Sequence, residues 1–262
     1  MRGLALIGCG AIGSLVARAV DEGVVNASLL YLLDLDVSKA EQLASSLKRQ
    51  KPRIAASIDD IVNDPRVEVV VEAASQRAVL EYSERLLRAG KRLVVLSVGA
   101  LIQPEMRRVV ERFMERIHVP SGAIAGLDAL RALKLVGVKK VELTTRKHPS
   151  KLSSSPYVRS RGLKLEGLEK PVLVFEGLAV EAVKAFPRSL NVAATLALYS
   201  DAPVHVRVIA DPSIERNVHE IRVESDATTM LIRVENVAHP LNPKTSYLAA
   251  LSTISLLKEL CE

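Results

Sequence analysis

Six residues, GCGAIG at positions 8–13, constrain this chain more than any others. They join an apolar run, GLALIG (3–8), to a helical-looking stretch, AIGSLVARAVDEG. In a strand–turn–helix setting each glycine has its own role. Gly8 permits the tight turn, Gly10 lets the backbone approach a pyrophosphate, and Gly13 lets the helix lie against the sheet. Ala11 and Ile12 open the helix, whose free N–H groups and partial positive charge favour phosphate. A second apolar run, ASLLYLLD (27–34), predicts a strand ending at Asp34, 21 residues beyond Gly13. A carboxylate at that distance accepts hydrogen bonds from an adenosine ribose. The expected cofactor contacts are therefore Gly8, Gly10, Ala11, Ile12, Gly13 and Asp34. Asp36 adds a second acid, and two acids repel a 2′-phosphate, so NAD is favoured over NADP. Lys39 and Arg49 are the cations whose approach would admit NADP.

The next hundred residues keep the alternation. VSKAEQLASSLKRQ (37–50) predicts a helix with a Ser38/Glu41 cap, and RIAAS (53–57) a third strand. VEVVVEAAS (67–75) predicts a fourth strand, RAVLEYSERLLRAG a helix stopped by Gly90, and KRLVVLSVGAL (91–101) a fifth strand. A further helix precedes IHVP (117–120). This order implies a doubly wound parallel sheet, a Rossmann α/β fold. Small residues end two of its strands, so Ala73, Ala74 and Ser75 are expected beside the cofactor.

The pattern changes near residue 137. VKKVELTTRK (138–147) and PVLVFEG (171–177) predict strands around a long polar segment, and two helical stretches follow. Three consecutive strands, 204–211, 218–225 and 228–236, argue for an antiparallel sheet in an inserted α+β domain. NPKTSYLAALSTISLLKEL (242–260) predicts an apolar helix with Asn242 as N-cap and Pro243 in its first position, packing on the first domain. The expected division is 1–120 plus 240–262 for the Rossmann domain and 121–239 for the insertion.

Only 3% of residues are aromatic, so the core must be aliphatic, as suits a buried parallel sheet. The net charge of +6 comes without aromatic platforms or a nucleic-acid motif, which argues against nucleic-acid binding. It suits a dinucleotide or a dicarboxylate instead. No run of about 18 apolar residues predicts a membrane span. The opening MRGLALIG leads straight into the glycine turn without a cleavage site, so it is expected to be a strand rather than a signal peptide. Two cysteines at opposite ends make no disulfide framework, which favours a reducing, cytoplasmic setting. No Cys/His cluster has metal-ligand spacing, so no metal is expected.

The chain resembles the L-aspartate dehydrogenases of archaea and thermophilic bacteria. The resemblance spans nearly its whole length, through GCGAIG, VVEAASQRAV (70–79), VLSVGAL (95–101), VPSGAIAGLDAL (119–130) and FPRSLNVAATLAL (186–198). The most specific segments are ERNVHEIRV (215–223) and HPLNPKTSYLAALS (239–252). LLDLD around Asp34 departs from the family's more usual tyrosine-Asp-Arg. The resemblance implies a Rossmann domain, an inserted domain carrying catalysis and dimer contacts, and oxidation of L-aspartate to iminoaspartate. The imine then hydrolyses to oxaloacetate and ammonia or feeds NAD biosynthesis. It places His219 as the catalytic histidine, and Ala123 and Asn191 near the nicotinamide.

Imidazole titrates near neutral pH and can deprotonate an ammonium or activate water on an imine. Read on pattern alone, His219 is a half-buried residue at a strand start, and Asn191 a helix N-cap. Asn217, Lys244 and Thr245 are weaker candidates for the substrate, and Arg146 and Lys147 are either a carboxylate clamp or a solvated loop edge. Two other readings stay open: a related reductase of another carboxylic acid, and an NAD-binding regulatory protein without chemistry.

Overall fold

The computed structural model describes residues 1–187, 189–239 and 242–262, with 242–245 as backbone alone. The chain divides into two compact units, Met1–Gly122 with Ala249–Glu262, and Ala123–Leu248.

The first unit runs β1 (Arg2–Ile7), α1 (Ala11–Asp21), β2 (Ala27–Leu33), α2 (Val37–Ser46), β3 (Arg53–Ile54), α3 (Ile58–Asn63), β4 (Val67–Glu72), α4 (Gln76–Arg88), β5 (Arg92–Val95), α5 (Arg107–Phe113) and β6 (Ile117–His118). Its sheet has the order β3-β2-β1-β4-β5-β6, and every neighbouring pair is parallel. The strand order reverses between β1 and β4, which opens a crevice at their carboxyl ends. Leu4, Leu6, Val69 and Val71 on one face and Ala5 and Val70 on the other are fully buried, because helices cover both faces. Each such Leu or Val side chain contributes roughly 1.5–3 kcal/mol. Leu257 and Cys261 of the C-terminal helix join the cluster around Leu4, Leu6, Val16, Leu29 and Leu32.

Three local expectations change in this unit. Asp36, not Ser38, precedes α2; the Ser38 hydroxyl turns back and donates to Asp36 Oδ1 at 2.6 Å. The fifth strand stops at Val95, and residues 98–100 form a 3₁₀ turn instead of continuing it. That turn follows Ser97, whose N–H and hydroxyl are both drawn onto the Glu72 carboxylate. Helix α3 has no counterpart in the expected elements, although Ser57 and Asp60 form a capping box at its start.

The second unit runs α6 (Leu127–Leu133), β7 (Val138–Lys147), α7 (Pro156–Ser160), β8 (Val172–Leu178), α8 (Ala179–Ala185), α9 (Asn191–Tyr199), β9 (Val204–Ala210), β10 (Asn217–Ser225), β11 (Thr229–Asn236), β12 (Ala238–His239) and β13 (Asn242–Ser246). Helix α10 (Tyr247–Cys261) follows. The five-stranded sheet has the order β11-β10-β7-β9-β8 and is mixed, not antiparallel throughout. Strand β7 lies between β9 and β10, pairing parallel with the first and antiparallel with the second. The chain reaches β9 only after α8 and α9, a crossover that delivers it parallel to β7.

The C-terminal helix begins at Tyr247, four residues beyond the expected first position, Pro243. Residues 242–246 are extended and pair antiparallel with 238–239, so Asn242 is no N-cap and Pro243 no first helical residue. Asn191 likewise is the first residue of α9, with Leu190 in the cap position. Three of the few aromatic rings, Tyr157, Phe175 and Phe186, gather with centroids 5.4–6.0 Å apart. Among the described residues no helix is long and apolar enough to cross a membrane.

Candidate active site

A cavity of about 430 Å³ lies at the carboxyl ends of β1, β2 and β4, lined by Gly8, Gly10, Asp34, Ala73, Ala74 and Ser75 among others. Gly8 has φ +97°, and its N–H donates to Leu33 O at 2.8 Å, tying the turn to β2. A Cβ on Gly13 would stand 2.0 Å from Gly8 O, so only glycine lets α1 approach this closely. A Cβ on Gly10 would meet nothing within 4 Å, which leaves its backbone open towards the cavity. Helix α1 has no acid in its first turn and no side-chain cap, so its positive end remains available to an anion. These features fit a dinucleotide pyrophosphate.

Asp34 is held in place from both sides. Its carboxylate accepts the Cys9 N–H at 2.7 Å and the Asp36 N–H at 2.9 Å. The Cys9 thiol is buried, and burial with the Asp34 charge pushes its pKa up to about 12, so it stays protonated near neutral pH. Lys39 lines the same cavity and pairs with Asp36 at 3.4 Å; Arg49 does not line it. Sequence reasoning missed Arg77, which lines the cavity from the first turn of α4. Replacing Asp34 by Ala should weaken NAD about 10- to 100-fold, corresponding to roughly 1.5–3 kcal/mol for hydrogen bonds to a charged group. It should cost NADP much less. Titrating both cofactors against wild type and variant checks the difference, and an equal loss for both would remove Asp34 from the ribose.

Glu72, at the end of β4, is a second residue that sequence reasoning missed. It is 2% exposed and accepts four hydrogen bonds, from the N–H groups of Ala74, Ser75 and Ser97 and the Ser97 hydroxyl, at 2.8–2.9 Å. Burial raises its pKa and these donors oppose the rise. The carboxylate locks together the two small-residue strand ends, and Ser75 also caps α4 through Ala78 N–H.

The second unit contains a separate cavity of about 460 Å³, lined by Lys147, Lys151, Ser155, Phe186, Ser189 and Asn217 among others. Two cations, hydroxyls and an amide among its lining residues suit a small polyanion. Lys147, the last residue of β7, is 5% exposed and donates to Ser189 O at 2.9 Å. Lys151 donates to Asn217 Oδ1 at 3.2 Å and Glu215 O at 3.4 Å. Neither lysine has a carboxylate partner among the described residues. Burial first, then the Lys151 charge, brings the Lys147 pKa down to about 8. Burial lowers Lys151 as well.

His219 lies on β10 opposite Thr145 of β7 and Val234 of β11. It is 3% exposed, so this residue near the start of β10 is fully interior rather than half-buried. Positions 219, 221 and 223 share the buried face; Glu220 is on the other, paired with Arg233 at 2.8 Å and Arg146 at 3.6 Å. Arg146 is therefore spent on Glu220 and on Asp211, whereas its neighbour Lys147 turns inward. The partner that orients the imidazole is the buried Thr145 hydroxyl, 3.0 Å from Nδ1. Burial, with the Lys147 charge adding to it, pulls the His219 pKa down to about 3, so the buried ring is neutral in the free protein.

The sequence-predicted residues thus separate into groups. Gly8, Gly10, Asp34, Ala73, Ala74 and Ser75 converge on the first cavity, with Ala11, Ile12 and Gly13 in the α1 turn behind it. Asn217 lines the second cavity and is 7% exposed. His219, Ala123 and Asn191 line neither; the Ala123 carbonyl accepts the Asn236 side-chain N–H at 3.0 Å. The side chains of Lys244 and Thr245 fall outside the described residues. Among the described residues no group of three or more His, Cys, Asp or Glu forms a metal site.

Residues 8–120 match the family described as homoserine dehydrogenase, NAD binding domain, and residues 128–260 match aspartate dehydrogenase, C-terminal. The first unit is an NAD-binding domain. The L-aspartate dehydrogenase of Methanosarcina barkeri is 46% identical, over 98% of this chain and 96% of that protein. That of Methanothermobacter thermautotrophicus is 44% identical over 98% and 95%. The crystal structure of aspartate dehydrogenase from Thermotoga maritima superimposes with a TM-score of 0.76 at 29% identity, covering 100% of this chain and 97% of that one. The nucleotide turn, the cationic cavity and these full-length matches agree: the chain belongs to the L-aspartate dehydrogenase family.

Proposed function

We propose that this protein oxidises L-aspartate with NAD, releasing an imine that hydrolyses to oxaloacetate and ammonia. The observation that carries the substrate assignment is the pair of lysines, Lys147 and Lys151, on one cavity without acidic partners among the described residues. A buried cation left without a counter-ion is costly unless a ligand supplies the charge. A dicarboxylate supplies it. NAD, when bound, accepts the hydride that leaves the substrate Cα; Gly8, Gly10 and Asp34 hold its pyrophosphate and ribose.

Asn217 presents its amide to a substrate oxygen from the cavity lining, which also includes Ser155 and Ser189. His219 acts as acid/base on the imine. Its ring is neutral in the free protein, and two substrate carboxylates reverse the positive field of the lysines, which raises its basicity when the site is loaded. The imidazole can then take a proton from the attacking water and return one to the departing nitrogen. Thr145 fixes the ring's orientation for both transfers. Ala123 and Asn191 are assigned to the nicotinamide end of the cofactor on the family resemblance. A homodimer is the assembly we expect, and Leu231, 76% exposed on the outermost strand β11, supports it.

The test is NADH formation followed by absorbance with L-aspartate, D-aspartate, L-malate and L-glutamate in parallel. L-aspartate should give the highest kcat/KM, with ammonia released in step. A higher kcat/KM for a hydroxy acid would favour the related reductase. Tight NAD binding with no turnover of any of the four would favour a regulatory protein.

A further inference from the structure

Oxidation of an amino acid needs two different proton transfers. The substrate ammonium must lose a proton before its nitrogen can supply electrons to a forming C=N bond. Water must later be activated on the imine. His219 is poorly suited to the first transfer, because it is buried, its Nδ1 is held by the Thr145 hydroxyl, and it is not among the residues lining the cavity. The proton acceptor for an ammonium works best when its own affinity is close to that of the donor.

We propose that Lys147 is a second catalytic residue, the base that takes the proton from the substrate ammonium, while Lys151 holds a substrate carboxylate beside it. The inference rests on the reading of this cavity as the aspartate site. Lys147 reaches the cavity from the end of β7, and its one side-chain hydrogen bond among the described residues is to a carbonyl, Ser189 O, which a neutral amine satisfies as well as a charged one. Among the described residues no carboxylate pairs with its ammonium to hold the proton. His219 faces it from β10, Lys151 from the turn after β7, and Asn217 from the start of β10. At the end of β9, Asp211 donates its N–H to Lys147 O, but its carboxylate is engaged by Ser213 and Arg146. Burial beside a second lysine is the arrangement that frees a lysine to act as a base near neutral pH. Lys151 is half-buried and donates to two oxygens, so it keeps its charge more readily.

In the step itself an ammonium N–H bond breaks and its electron pair stays on the substrate nitrogen. The proton bonds to the lone pair of Lys147 Nζ, which becomes an ammonium. No other reactant is consumed. The base form is required, so kcat/KM should fall as pH drops below about 8, the Lys147 value in the free site.

Lys147→Arg and Lys147→Met, each checked for unchanged NAD binding, provide the test. Arg keeps the charge but cannot give up its proton, and Met keeps the length without either. Both should lose kcat by about 10²-fold or more. Methylamine should restore part of the Lys147→Met rate in proportion to its free-base concentration. A Lys147→Arg enzyme with near wild-type kcat and only a raised KM would overturn the proposal, leaving Lys147 as a carboxylate anchor. A second measurement needs no turnover. At pH 9, calorimetric titration with succinate in buffers of different ionisation enthalpy should show proton uptake by wild type and none by Lys147→Arg. Equal uptake in both, or none in wild type, would also overturn it. An inactive wild type would instead overturn the aspartate reading itself, so the two failures are distinguishable.

Discussion

His219→Ala should lose about 10²- to 10⁴-fold in kcat, the range expected when a positioned acid/base is removed. NAD affinity should be nearly unchanged, because the groups that hold its pyrophosphate and ribose, the glycine turn and Asp34, line the first cavity and His219 does not. The ring is buried on the face shared with Ile221 and Val223, so alanine leaves a cavity costing roughly 2–4 kcal/mol of stability. His219→Gln fills that space and separates the two effects. It should fold like wild type and still fail to turn over. If His219→Gln retained near wild-type kcat, the imidazole would be a packing residue and the proposed acid/base role would be wrong.

The second large effect divides the glycine turn into a structural and a functional half. Gly13→Ala should destabilise the protein by about 1–3 kcal/mol, the usual cost of overpacking, or prevent folding. Its Cβ would fall 2.0 Å from Gly8 O, and backbone cannot step aside as a flexible side chain can. Gly10→Ala should behave in the opposite way. Its φ of −74° is acceptable to alanine and its Cβ would have open space, so thermal stability should hold. The added methyl would occupy the approach of the pyrophosphate, and NAD affinity should fall by at least about tenfold, or roughly 1.4 kcal/mol. Melting curves with and without NAD distinguish the pair. A Gly10→Ala protein that is stabilised by NAD as much as wild type would show that the phosphates approach elsewhere.

The first unit is legible in the sequence because its physics is local. A strand, a glycine turn and a helix are contiguous, and Asp34 is one strand further on. The second unit is less so. Strand β7 separates β9 from β10, and nothing in consecutive apolar runs reveals a crossover that inserts an earlier strand. The start of α10 is misread because Asn-Pro suits a helix entry as well as part of a hairpin, and pairing with 238–239 decides for the second. At the candidate site, period-two alternation puts His219 on the same face as Ile221 and Val223, a signal of burial visible in the sequence. Its partner Thr145 lies 74 residues away, and only strand register brings the two together. The same register explains Lys147. In RK at 146–147, alternation sends one side chain outward to Glu220 and the next inward to the cavity. Glu72 carries no sequence signal, since an acid ending a strand is ordinary until Ser97 is folded against it.

The central claim is that hydride passes from the aspartate Cα to NAD. L-Aspartate carrying deuterium at Cα measures it directly. Incubated with NAD and the protein, it should give NADH labelled with one deuterium, seen by mass spectrometry, and a slower rate than unlabelled substrate if hydride transfer limits turnover. NADH without the label, or label lost to solvent, would contradict the account.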